Sequence, residues 1–136
     1  LPVHNIVGFG KACEIAFNTM ESESTKLLNM RKHLYYGIKE NIKDILVNGD
    51  LNDRLPGNIN ISFKSNASEK IIMKLRDIAV SNGSACTSNS NEPSHVLKAI
   101  GLNDELAHSS IRFSIGRFNT MEEIEYTIKK IKDVFN

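Results

Sequence analysis

Leu27, Met30, Leu34, Ile38 and Ile42 recur at intervals of three and four residues, the spacing that gathers apolar side chains on one face of an α-helix. No proline or glycine falls between Lys11 and Tyr36, so the pattern predicts a long first helix with one buried stripe. Phe9, Cys13, Ala16 and Met20 continue a similar spacing upstream, which assigns Cys13 to the core. The polar run Glu21-Ser22-Glu23-Ser24 marks a point where that helix would bend or break. Leu1-Pro2-Val3-His4 offers no helix or strand start and reads as the end of a chain that has been cut or processed.

Ile45-Leu46-Val47 is a short apolar run closed by Asn48-Gly49-Asp50, residue types that tolerate positive φ, so a strand and a turn are expected. After Pro56-Gly57, Ile59, Ile61 and Phe63 alternate with Asn60 and Ser62, the period of a half-buried strand with one polar face. Asn66 and Glu69 stand at the spacing of a capping box. The helix they open carries Ile71, Leu75 and Ile78 inward and should end near Ala79. Residues 81–92 contain almost nothing that anchors a core, and they predict a loop. Pro93 suits the first turn of a short helix bearing Val96, Leu97 and Ile100, with Gly101 as its stop.

Ile111, Phe113 and Ile115 alternate with Ser110, Arg112 and Ser114, a third strand with Arg112 on its polar face. Thr120 and Glu123 form a second capping box, beyond which Ile124, Ile128, Ile131 and Phe135 line one side of a closing helix. The order is helix, strand, strand, helix, loop, helix, strand, helix. The predicted fold class is α+β: a two-layer small domain whose short, largely antiparallel sheet packs against helices, entered by a long N-terminal helix.

With 136 residues, 40% of them hydrophobic, the chain has the size of one ordinary domain. Its 17 basic and 16 acidic side chains leave a formal charge of +1, which gives no electrostatic case for nucleic acid or an anionic membrane as partner. No apolar run approaches the ~20 residues that cross a bilayer, and the N-terminus does not read as a signal peptide. Two cysteines, Cys13 and Cys86, allow one bridge at most, so reduced thiols are expected.

Cys86 lies among Gly83-Ser84-Ala85 and Thr87-Ser88, small polar neighbours unlike the apolar pocket of a structural cysteine. Stretched at roughly 3.4 Å per residue, residues 81–92 have a contour of about 40 Å, enough for a tip to travel on the order of 15–20 Å. That is what a nucleophile or group carrier needs, and it is also compatible with a loop cysteine of no function. Reactivity requires the thiolate, and no Lys, Arg or His adjoins Cys86 to promote it. Arg112, flanked on its face by two serines that leave room for a ligand, suits bidentate capture of a carboxylate, while the residues alone favour a surface position or a structural ion pair. Arg117 reads as structural. The histidines, His4, His33, His95 and His108, are scattered, none at zinc-ligand spacing from a cysteine, so no metal site is expected.

Ser84-Ala85-Cys86-Thr87-Ser88, Glu92-Pro93-Ser94 and the run from Gly101 through Ser109-Ser110-Ile111-Arg112-Phe113-Ser114 to Arg117, in this order, closely resemble the C-terminal part of cysteine desulfurases of the NifS/IscS group. These are fold-type I pyridoxal-phosphate enzymes, and the resemblance covers effectively the whole chain. It implies that Cys86 is the catalytic, sulfur-accepting cysteine, holding as a persulfide the sulfur removed from L-cysteine while L-alanine leaves. It implies that Arg112 binds the substrate carboxylate, and that the persulfide passes to an iron–sulfur scaffold or a tRNA-thiolation partner. It further implies a homodimeric parent in the bacterial cytoplasm or the mitochondrial matrix.

In that family the cofactor domain, with its Schiff-base lysine, precedes the region matched here, and no lysine of this chain matches that position. The resemblance therefore divides the chain into a linking segment, 1–20, and a small domain, 21–136, that carries the cysteine loop at 81–92. On its own this piece should neither hold pyridoxal phosphate firmly nor turn over. Two other classes remain open on the residues alone: a non-catalytic module that docks a partner, and a stand-alone thiol sulfurtransferase.

Overall fold

The structure is a computed structural model that describes residues 1–64, 68–82 and 93–135. Helix α1, Val3–Asn41, runs unbroken for 39 residues. The polar stretch expected to bend it is accommodated, because hydroxyls return to carbonyls within the helix: Thr19 to Ile15 at 2.9 Å, Ser22 to Thr19 at 3.0 Å and Thr25 to Glu21 at 3.1 Å. The helix also begins where the sequence predicted no start. Pro2 precedes it, and the Pro2 carbonyl accepts from the amides of Asn5 and Ile6 at 3.0 and 3.2 Å, so a residue lacking its own N–H costs nothing there.

The expected burial of Cys13 is wrong. It is a free, exposed cysteine, and residues 1–18 are exposed on every side of α1. Phe9 is 73% and Phe17 83% accessible. Burial on α1 comes from Met30, Arg31, Leu34 and Ile38, since a sheet of three short strands can cover only the C-terminal half of so long a rod.

Strands β1 (Ile45–Val47), β2 (Asn58–Phe63) and β3 (Ser110–Ser114) form one sheet in that order, antiparallel throughout. β1 meets β2 with Val47 opposite Ile61, and β2 meets β3 with Ile59 opposite Phe113 and Asn60 opposite Arg112. Strand alternation sends Ile59, Ile61, Phe63, Ile111 and Phe113 to one face, where they are buried with Leu34 and Ile38 of α1. Helix α5, Met121–Phe135, completes that layer with Ile124, Ile128 and Ile131. Its Phe135 ring centroid lies 5.2 Å from that of Phe63. The predicted α+β, two-layer arrangement is the one observed.

The capping box of α5 forms as expected: Thr120 N donates to Glu123 Oε2 at 3.1 Å and Glu123 N to Thr120 Oγ1 at 3.3 Å. Helix α2, Ser68–Lys74, stops before the predicted Ala79. A tight turn with Ile78 N donating to Leu75 O at 2.9 Å follows it, because the chain must become extended for Ser81 to pair with β3. The expected Asn66 cap lies outside the described residues.

Helix α3, His95–Ala99, begins after Ser94, whose ψ of 120° is not helical. Pro93 therefore precedes the helix instead of occupying its first turn, and Leu97 is the residue buried there. One element was not predicted. Helix α4, Asp104–His108, is capped by Asn103, which accepts from Leu106 N at 2.9 Å, and it carries Asp104 and Glu105 in its first turn.

Candidate functional site

The face of the sheet turned away from α1 and α5 carries Asn58, Asn60 and Ser62 from β2 and Ser110, Arg112 and Ser114 from β3, because these alternate with the core residues. At one end this polar face is closed. Ser62 and Ser110, both 0% accessible, lie 2.8 Å apart and each donates to Leu106 O of α4, at 3.0 and 2.7 Å. Asn48, from the turn after β1, inserts its amide between them and donates to Ser62 Oγ at 2.8 Å, Ser110 Oγ at 3.0 Å and Asn60 Oδ1 at 2.7 Å. The expectation that Ser110 leaves room for a ligand beside Arg112 is thus corrected: its hydroxyl is consumed in a buried network.

Room lies instead toward Asn60. A pocket of about 250 Å³ is lined by Asn58, Asn60, Arg112, Ser94, Leu97 and Ile100, among others. Arg112 is exposed at mid-strand, and among the described residues no carboxylate pairs with it. Its backbone does more. Arg112 N donates to Ser81 O at 2.6 Å and Ser81 N to Arg112 O at 3.2 Å, so the chain entering 83–92 is pinned beside Arg112, and Ser94, just beyond that segment, lines the pocket. Cys86 itself lies outside the described residues, as does the body of the expected loop.

Arg117 is structural, as the sequence suggested. It forms an ion pair with Glu23 of α1, while Lys26 Nζ donates to the carbonyls of Arg117 and Asn119, both at 3.0 Å. A structural role that sequence reasoning missed belongs to Arg31, 4% accessible. Its guanidinium donates to Leu55 O at 3.1 Å and Leu51 O at 2.8 Å and so fastens the loop between β1 and β2. His4 lies in α1, His33 pairs with Glu125 across to α5, His95 lies in α3 and His108 at the end of α4. Among the described residues no group of His, Cys, Asp and Glu is arranged to hold a metal.

A second cavity, about 390 Å³, lies between α5 and the stem of residues 77–80. At its rim Tyr126 and Lys130 of α5 hold Asp77, the lysine at 3.0 Å. The Tyr126 hydroxyl first, then Lys130, keeps the Asp77 carboxyl below its ordinary range, and Asp77 in turn raises Lys130. This cluster ties the stem to the helix.

Pyridoxal phosphate needs an amine for its aldehyde and a partner for its ring nitrogen. Neither lysine nor carboxylate lines the Arg112 pocket, so the described residues do not by themselves make a cradle for it. What lines the pocket is one permanent cation, neutral amides and apolar side chains. Among the described residues no helix is long and apolar enough to cross a membrane.

The profile of the family "Aminotransferase class-V" matches residues 1–127. Cysteine desulfurase IscS of Aeromonas hydrophila subsp. hydrophila is 58% identical over 133 residues, covering 98% of this chain and 33% of that protein. A solved structure described as a NifS-like protein superposes with a TM-score of 0.81 at 26% identity, over 99% of this chain and 34% of the other. The X-ray structure of a NifS-like protein from Rickettsia africae gives 0.78 at 25% identity, over 96% of this chain and 34% of the other. The chain spans about a third of the length of the curated relatives it matches.

Proposed function

We propose that this chain, which belongs to the class-V aminotransferase family, is the C-terminal part of a cysteine desulfurase. In this reading Arg112 holds the carboxylate of L-cysteine and Cys86 accepts its sulfur. The observation that carries it is the placement of Arg112: an exposed guanidinium over a small pocket, with its own backbone fixing the root of the segment that bears Cys86. Cys86 lies five residues beyond Ser81, so at ~3.4 Å per residue the thiol is tethered within about 17 Å of that root. This keeps the sulfur acceptor in reach of a substrate bound at Arg112.

Breaking the carbon–sulfur bond draws on pyridoxal phosphate, supplied in our reading by the preceding part of the longer protein. This chain contributes carboxylate recognition and the thiolate. The Cys86 thiolate takes the sulfur atom to become a persulfide, and the rest of the substrate leaves as L-alanine. The sulfur then goes to an iron–sulfur scaffold or another acceptor protein. Residues 1–20 link to the preceding domain and 21–136 form the small domain, in agreement with the exposure of α1 up to residue 18. The bacterial origin of the relatives favours the bacterial cytoplasm over the mitochondrial matrix, and the parent is a homodimer.

Mass spectrometry of the full-length protein after exposure to L-cysteine tests the reading. One added sulfur at Cys86 is expected, lost in Cys86→Ser with cofactor still bound. Arg112→Gln should raise the KM for L-cysteine roughly 10- to 100-fold, the scale of a hydrogen-bonded charge at ~1.5–3 kcal/mol. A cofactor-loaded wild type that gains no sulfur at Cys86 would overturn the proposal.

A further inference from the structure

We infer that Asn60 is a second carboxylate-binding residue, its side-chain amide donating to the same substrate carboxylate that Arg112 grips; this rests on the desulfurase reading above. Asn60 stands directly opposite Arg112 in the β2–β3 register, and cross-strand neighbours on one face have Cβ atoms about 4.5–5.5 Å apart. Both line the same pocket.

The orientation of the amide follows from its neighbour. Asn48 Nδ2 donates to Asn60 Oδ1 at 2.7 Å, and Asn48 is itself held by Ser62 and Ser110, which keeps Oδ1 turned to the buried network and sends Nδ2 the other way. Among the described residues that Nδ2 has no hydrogen-bond partner, and no buried side-chain nitrogen or oxygen is left unpartnered, so it opens to the pocket. Of the other lining amides, Asn48 Nδ2 serves three acceptors, and Asn58 Nδ2 gives one of its two N–H groups to Ser114 Oγ at 3.4 Å.

A carboxylate has about four acceptor positions, of which an arginine fork fills two. A neutral donor beside the arginine fills a third without the repulsion a second cation would bring. Buried Leu97, with Val96 and Ile100 at the open rim, gives the pocket one apolar side.

The full-length protein with its cofactor, as wild type and as Asn60→Ala and Asn60→Ser, provides the test. Serine keeps an oxygen for Asn48 and so guards the fold, which the thermal midpoint monitors. Both variants should raise the KM for L-cysteine roughly tenfold or more, as loss of a hydrogen bond to a charged group does, with kcat nearly unchanged. Competitive inhibition by L-alanine should weaken by the same factor. Variants that melt with the wild type yet keep its KM and its inhibition overturn the inference. So does a loss confined to kcat. If wild type leaves L-cysteine intact, the desulfurase reading fails with it; if Arg112→Gln is impaired and Asn60→Ala is not, only the role of Asn60 fails.

Discussion

Single side chains with unusual surroundings set the tolerance of this fold. A Cβ at Gly57 would stand 2.3 Å from the backbone oxygen of Ile115, because Ile115 N donates to Gly57 O at 2.7 Å and draws the two chains together. Gly57→Ala should therefore destabilise the domain by ~1–3 kcal/mol, visible as a lowered midpoint in chemical denaturation. Arg31 is buried against carbonyls, without a carboxylate partner among the described residues. Arg31→Ala strands the Leu51 and Leu55 carbonyls, and a loss of about 2–4 kcal/mol is expected in the same measurement. Strand alternation puts Arg112 and Asn60 each on the polar side of its own strand, and the β2–β3 register sets them opposite each other. The link from Asn48 to Asn60 was not legible, since it depends on how the turn after β1 folds back over the sheet.

At the scale of elements, local rules were read well where both partners lie within one turn. The Thr120–Glu123 box is an instance, and Thr120→Ala should cost about 1 kcal/mol of thermal stability. α4 escaped because five residues are too few to display a period, although Asn103 followed by Asp104 and Glu105 is a start signal. α2 ended early because a long-range demand, the pairing of Ser81 with Arg112, overrode its apolar spacing.

Carboxylates at element ends also set the acid response. Glu123 is held below its ordinary 4.5, first by the Asn119 amide and then by Thr120 N–H, and Asp77 below 3.8 by Tyr126 and Lys130. Groups with depressed folded values add stability above their unfolded values and lose it as pH falls through the folded ones. The thermal midpoint should stay level from neutrality to about pH 5 and decline below about pH 4.5, and the decline should be shallower in Glu123→Gln. An unchanged acid profile in that variant would refute the assignment.

For the whole molecule, the apolar half of α1 is the outstanding feature. Ile6, Val7, Phe9, Phe17 and Met20 are all more than half accessible, although the spacing of Phe9 and Met20 with Cys13 and Ala16 suggested a core. Periodicity tells which side chains share a face; it says nothing of what lies opposite. A helix segment without tertiary contacts is marginal in water, so in the 136-residue chain the amides from Ile6 to Phe17 should exchange with solvent far faster than those from Leu34 to Ile38. Equal protection along the entire helix would show that the segment is covered in solution. One last consequence comes from the pairing of Ser81 with Arg112. Because Ser81 is held to Arg112 through backbone groups, changes to the Arg112 side chain and changes of length or sequence between Gly83 and Glu92 can be made independently, and under the proposed function this would make acceptor choice and substrate choice separately adjustable.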